Sequence, residues 1–325
     1  MTYSFPCETA FLPRTKLSYV NLPGILADGK RDRQARVSGY VAVQLGERCF
    51  LVFLRGGEPF FAAKITAERR GPAALSEVLR LAATESERGE GGQIGYYGAP
   101  DEQLLAMLST LVGEPVPWAD PADAGAPDRL FPALRAREFS GVLELSSRGH
   151  FHYLQFEGGA FRTGWFAGRD GAMPLPEFMR SLFGSGDAVG ATLYPMLPQM
   201  PVQAGPGFVD LYRRMIGGTL REIALATGRE TALAMMQRGQ GLAALEHPVV
   251  ASFDITPEGR VAGDPVASPD GLTEAVAAWL TEALISASDH HGVDPAAVIE
   301  KVGRDSRFVL QEHGFFARLP WALAI

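Results

Sequence analysis

Apolar and polar positions alternate along two stretches of the chain in the same order and with the same spacing. In the first, Ser38-Gly39 opens the run Tyr40-Val41-Ala42-Val43-Gln44-Leu45, Gly46-Glu47 supplies a turn, and a second run covers Cys49 to Leu54. Gly56-Gly57 then turns the chain into Pro59 to Ile65. In the second stretch, Ser140-Gly141 opens Val142-Leu143-Glu144-Leu145, a turn follows at Ser147 to Gly149, and Phe151 to Phe156 leads through Gly158-Gly159 into Ala160 to Phe166. Paired glycines supply the positive φ of a tight hairpin, and β-branched and aromatic residues suit half-buried strands. Each stretch therefore predicts a three-stranded antiparallel meander.

After each meander the apolar period lengthens to that of a helix. Leu75, Val78, Leu79 and Ala82 follow Pro72, and Leu175, Phe178, Met179 and Leu182 follow Pro174; both sets place one stripe against a core. A short strand comes next, Gln93 to Tyr97 in one copy and Ala191 to Tyr194 in the other. A further helix carries Leu104, Met107, Leu108 and Leu111, or Phe208, Leu211, Tyr212 and Met215. The entries match as well, with Leu22, Ile25 and Leu26 against Leu130, Ala133 and Leu134. The pattern predicts an α+β fold: two tandem domains, each with a small antiparallel sheet and flanking helices.

The copies differ at one place. Leu26 and Ser38 are twelve steps apart, whereas Leu134 and Ser140 are six apart, so the first copy carries an insertion. The inserted stretch includes Lys30, Arg31, Arg33 and Arg36, which reads either as a solvated loop or as a cationic contact for an acidic protein partner. Between the copies, residues 113–128 hold four prolines and predict a semi-rigid linker, with Trp118 as a candidate anchor.

Residues 219–325 predict a mostly helical C-terminal domain with a β-hairpin. The organisation is thus 1–112, the linker 113–128, 129–218 and 219–325. Gly217-Gly218 is expected to bend or break the helix that carries Met215. Arg229 to Glu246 predicts a helix with weak points at Gly239 and Gly241, and Pro257-Glu258-Gly259 a hairpin turn. Ser268-Pro269 and Asp294-Pro295 are helix starts. Phe315, Phe316, Leu319 and Trp321 predict a terminal segment docked on the protein's own core or, alternatively, on a partner.

Composition narrows the function classes. A net charge of −7 argues against nucleic acid as a partner, since neutralising a phosphate backbone takes a basic face. Two cysteines, Cys7 and Cys49, cannot build a disulfide framework or a four-cysteine zinc site. Met1 to Lys16 has no charged stretch leading into an apolar core, and no run of about 18 apolar residues exists, so a cytoplasmic protein without membrane insertion is expected.

Motifs for chemistry are missing. Gly89, Gly91, Gly92 and Gly95 neither match G-x-G-x-x-G nor link a strand to a helix, and no Walker sequence occurs. His150 and His152 project from one face of a predicted strand and could share a metal, but no third ligand is fixed, so they read as surface or edge residues. His290-His291 suits the carbonyl end of a helix. Cys49 reads as a small core or face residue, with a reactive thiol as the alternative, and Asp210, Arg213 and Arg214 as solvent-face charges.

The segment from Asp128 to Gly168 resembles the PATAN domain, the N-terminal domain of PatA-type bacterial response regulators. The likeness rests on Leu130 and Leu134, on Phe139-Ser140-Gly141-Val142-Leu143 and on Leu154-Gln155-Phe156-Glu157-Gly158-Gly159. Val37-Ser38-Gly39-Tyr40 and Val52-Phe53-Leu54-Arg55-Gly56-Gly57 make the first copy a more divergent member. The resemblance carries no catalytic residues and implies a signalling adaptor whose partners are receiver domains of two-component systems or small GTPases. The expectation is a non-enzymatic adaptor without cofactor or metal, with homodimerisation open. The alternative is a regulatory module that senses a small molecule in a pocket between the copies.

Overall fold

A computed structural model describes residues 2–22, 24–26, 37–89, 91–169, 173–256 and 258–321. The fold is α+β, with antiparallel sheets and a helical C-terminal region. Its described residues form two compact units, one drawn from Met1–Ala73 and Val78–Pro201 and one from Ala74–Glu77 and Val202–Ile325.

The first unit holds both meanders. Strands β1 (Thr9–Lys16), β2 (Gly39–Leu45), β3 (Arg48–Arg55), β4 (Glu58–Ile65), β5 (Arg70–Pro72) and β6 (Gln93–Gly98) form a sheet in the order β1-β6-β2-β3-β4-β5. Helix α1 (Leu75–Arg88) lies between β5 and β6 in sequence, and α2 (Asp101–Val112) and α3 (Pro127–Ala136) follow β6. Strands β7 (Gly141–Ser147), β8 (His150–Glu157), β9 (Ala160–Phe166) and β10 (Gly190–Tyr194) form the second sheet, in the order β10-β7-β8-β9, with α4 (Leu175–Gly184) between β9 and β10 in sequence.

The duplication extends to backbone detail. The paths β6-β2-β3-β4 and β10-β7-β8-β9 are the same. Within the strands that repeat, each copy slips register between its second and third meander strands, at Phe53/Leu54 and at Gln155/Phe156, which are matching positions. Gly56 and Gly57 have φ of 56° and 81°, and Gly158 and Gly159 have 54° and 76°, the left-handed pair that a two-residue hairpin requires. In both copies the second of these glycines donates its N–H across the sheet end, Gly57 to Val37 O at 3.1 Å and Gly159 to Phe139 O at 2.9 Å. The glycine of each Ser-Gly pair has a further cause. A Cβ on Gly39 would sit 2.1 Å from the Tyr97 carbonyl oxygen, and one on Gly141 would sit 2.3 Å from that of Tyr194.

The two sheets share one core. Tyr40, Leu51 and Phe53 of the first copy pack in the same apolar cluster as Val142, Phe151 and Tyr153 of the second, together with Leu104, Met107, Leu108 and Leu111 of α2. Helix α2 touches β5, β7 and β8, so it serves both copies. The N-terminal segment is built into this core: Phe5 stacks on Phe151 with ring centroids 5.1 Å apart, and the Tyr40 hydroxyl donates to Pro6 O at 2.9 Å. The far face of the second sheet carries its own cluster, in which Leu143, Leu145, Leu154 and Phe156 meet Leu130, Leu134 and Met179.

Two strands were not expected from the sequence. β1 has no clean alternation because Pro13, Arg14 and Lys16 interrupt it, and it is an edge strand exposed on both faces, where a proline costs no ladder bond. β5 is three residues long and reads as turn. The predicted linker is seated on the second sheet: Val116 N–H donates to Leu193 O at 2.8 Å and Trp118 Nε1 to Ala191 O at 2.9 Å.

The second unit is helical, with α5 (Pro206–Thr227), α6 (Arg229–Ala243), α7 (Pro269–His291), α8 (Pro295–Gly303) and α9 (Arg307–Glu312), and a two-residue ladder of β11 (Asp254–Ile255) with β12 (Val261–Ala262). Of the bend or break expected at Gly217-Gly218, the break does not occur. α5 runs through both, and a Cβ on Gly218 would lie 2.6 Å from Val302 Cγ1, so this glycine lets α8 approach. The sequence boundary at 218/219 therefore falls inside one helix, and the long segment of this unit starts at Val202. Trp279 is fully buried on α7 and donates from Nε1 to Met236 O at 2.8 Å. Ser268 Oγ caps α7 by accepting from the Gly271 N–H, and Asp294 caps α8 from the Ala296 N–H. Phe315 and Leu319 are buried in this core, with Phe316 and Trp321 packed against it, so the terminal aromatic segment docks at home.

Candidate functional site

A buried ion pair stands where the copies meet. Glu144 stands at an inward-facing position of β7 and is 3% exposed; its Oε1 accepts from Arg70 Nη1. Arg70 reaches over from β5, and its Nη2 donates to the Tyr194 hydroxyl at the end of β10, with the guanidinium 5.2 Å from the centre of that ring. Burial pushes the Glu144 carboxyl above its ordinary range, against the pull of the arginine. For Arg70 burial acts downward, but the glutamate more than restores the charge, and the net shift is upward. Beside this pair opens a cavity of about 440 Å³ lined by Thr66, Arg69, Ser146 and Thr192 among others. The cavity can hold a polar small molecule, and the Arg70–Glu144–Tyr194 set fastens one copy to the other.

A second cavity, of about 230 Å³, lies between the β8 end of the second sheet and α4. His150 and His152 do share a side of β8, yet His152 is not a surface or edge residue: it is 2% exposed, while His150 is exposed. Phe166 and Phe178 bury His152, their rings covering the imidazole at centroid distances of 6.1 and 5.3 Å. Nδ1 of His152 accepts the Ala167 N–H at 3.1 Å. Burial, helped by the neighbouring His150, lowers its pKa to about 4, so the ring is neutral at pH 7.

The other sequence candidates fall into structural roles. Cys49 is buried, and burial pushes its thiol up to about 12, which leaves no thiolate at neutral pH. Arg213 is not a plain solvent-face charge: its guanidinium bonds Gly263 O and reaches Asp264 at 2.9 Å as well as Asp210 at 2.6 Å. His290 bonds Ser286 O at 2.9 Å near the carbonyl end of α7. Lys30, Arg31, Arg33 and Arg36 lie outside the described residues. Among the described residues no group of three or more His, Cys, Asp or Glu side chains converges as a metal site, and no helix is long and apolar enough to cross a membrane.

Arg70, Glu144 and Tyr194 were missed in the sequence. Glu144 had a signal, a carboxylate inside the apolar run Val142 to Leu145, whereas Arg70 sits in the charged stretch Glu68-Arg69-Arg70 with nothing to single it out. No family model matches the chain, and no curated protein or solved structure matches it significantly.

Proposed function

We propose that the protein is a non-enzymatic, cytoplasmic signalling adaptor of bacterial type that works by holding protein partners, with receiver domains and small GTPases as the partner classes. The observation that supports this reading is the way the duplicated body is joined. Glu144, the most deeply buried charge among the described residues, is engaged by Arg70, which also holds Tyr194, and this set joins the two copies into one two-sheet body. A body of this kind suits presentation of surfaces. Aromatic side chains stand out from it, Phe11 on edge strand β1 at 48% exposure and Tyr19 just after it at 79%. The resemblance of Phe139-Ser140-Gly141-Val142-Leu143 and its hairpin to the PATAN domain points the same way.

Pull-down of the full chain from its native host, followed by mass spectrometry, tests the reading. A receiver protein or small GTPase recovered at stoichiometric level is the expected result; a preparation that repeatedly carries no regulator of either class sinks it. The cavity of about 440 Å³ beside Arg70 favours a second reading, a regulatory module that senses a small molecule between its copies. A thermal-shift screen with nucleotides and metabolites separates the two, because a ligand of the folded form raises the melting temperature.

A further inference from the structure

The duplication supplies an internal control for the cavity between β8 and α4. His152 pairs with Leu145 on one side and Phe166 on the other; the matching residue of the first copy, Phe50, pairs with Val43 and Lys64 in the same register. Phe50 is buried too. The fold thus takes a plain aromatic ring at this position, and the second copy has a polar one instead. The turn before β8 departs in the same sense. Gly46 occupies it in the first copy with φ of 59°, where glycine is at no disadvantage, whereas Arg148 holds φ of 50° in the second. A left-handed backbone costs a non-glycine residue about 1 kcal/mol. Both departures cost stability, and both side chains line the same cavity.

The imidazole is set up to donate. Because Nδ1 accepts the Ala167 N–H, the proton of the neutral ring sits on Nε2. That nitrogen is buried and has no hydrogen-bond partner among the described residues. An unmet buried donor costs about 1–3 kcal/mol, which an acceptor brought in from outside would recover. Phe178 and Leu182 supply an apolar wall, Ser181 of α4 a hydroxyl, and Arg148 a guanidinium whose ion-pair partner, Asp187, lies at the same rim. A donor buried just beneath the lining, an apolar wall and an exposed arginine are complementary to a short apolar or aromatic body that ends in a planar anion, once the Phe178 ring shifts to uncover the imidazole.

We propose that this cavity binds the carboxylate of a small organic acid, with His152 Nε2–H and the Arg148 guanidinium as its donors. One carboxylate oxygen accepts from His152, the other takes the guanidinium from Asp187, and the organic body lies on Phe178. Ser147 and Arg148 also line the cavity beside Arg70 and Glu144, whereas His152 lines this one, so the His152 signal tells the two apart, and occupancy does not depend on the adaptor reading.

The test uses the full chain, labelled with ¹⁵N, and follows the His152 imidazole nitrogens while benzoate, propionate or benzamide is added. Benzoate or propionate should move the Nε2 signal saturably, and benzamide, which has the shape of benzoate without its charge, should not. Two variants restore the residues of the first copy, His152→Phe and Arg148→Gly. The first should abolish benzoate binding in calorimetry, and the second should weaken it by about ten-fold while folding at least as well as the parent. No saturable shift with either acid, equal binding of benzamide, or unchanged affinity in Arg148→Gly would each overturn the assignment. Because Arg148 is on an exposed turn, that variant keeps the test decisive should His152→Phe not fold.

Discussion

Arg70 and Glu144, on different copies of a duplicated domain, form a salt bridge in which the carboxylate is almost wholly buried and the guanidinium about three quarters so. Removing one member leaves the other's charge in a water-poor environment, which for such pairs costs about 3–5 kcal/mol, whereas exchanging both for apolar side chains of similar volume is close to neutral. Arg70→Met is therefore expected to lower the unfolding free energy by about 3 kcal/mol, and Arg70→Met with Glu144→Leu to regain most of that. Urea unfolding of the two single variants and the double variant checks this. Additive losses would show that the pair does not act as a unit.

Gly39 and Gly141 make a matched pair of predictions. At each, an added methyl meets the carbonyl oxygen of a tyrosine on the neighbouring strand, at 2.1 and 2.3 Å, so the strands must separate to admit alanine. Gly39→Ala and Gly141→Ala should each destabilise by about 3 kcal/mol, the upper end of the usual cost of overpacking. Equilibrium unfolding of both variants measures the loss, and a midpoint unchanged in either would remove the stated reason for glycine in the Ser-Gly pair.

These glycines show what was legible before the structure. The meanders, the paired-glycine hairpins and the α1 and α4 stripes could be read because each depends on residues close in sequence. Sheet edges could not: β1 lies against β6, about 80 residues on, and nothing in Phe11-Leu12-Pro13-Arg14 marks the partner. The stripe of Phe208, Leu211, Tyr212 and Met215 marks a helix, but that helix belongs to the second unit and not to the second copy. Periodicity reports which face of α5 is buried and not what buries it. The junction was half legible, since an inward carboxylate at Glu144 calls for a cation while leaving its address open. The burial of His152 is not legible in β8 itself, because the aromatic rings that cover it come from β9 and α4.

Within α6, Gly239 and Gly241 looked alike in sequence and differ in place. A Cβ on Gly239 would lie 2.9 Å from the Ala283 backbone nitrogen, where α6 crosses α7, whereas nothing lies within 4 Å of one on Gly241. Gly241→Ala should stabilise by about 0.5–1 kcal/mol, the helix-interior preference for alanine. Gly239→Ala should instead destabilise, because the two helices must move apart. Thermal unfolding followed by circular dichroism distinguishes them by the opposite sign of the change in Tm.

The two thiols should differ in reactivity. Cys7 is exposed, while Cys49 is buried with its pKa raised to about 12. At pH 8 an aromatic disulfide reagent should modify Cys7 in the native protein and Cys49 only on unfolding, since the thiolate is the attacking species. Reaction of both thiols at one rate without denaturant would contradict the burial of Cys49.

The acid limb of stability should carry the signature of His152. Its pKa falls from an ordinary 6.5 to about 4 on folding, chiefly by burial. Between these values the unfolded chain binds a proton that the native chain does not, so stability is fully present above about pH 6.5 and is lost as pH drops toward 4. The gap corresponds to about 3 kcal/mol at its full extent. His152→Asn keeps an acceptor for the Ala167 N–H and cannot take up that proton, so its unfolding free energy should fall less steeply over the same range. Denaturant titrations at half-unit pH steps give both slopes; parallel acid limbs would show that the imidazole is protonated as readily in the folded protein as in water.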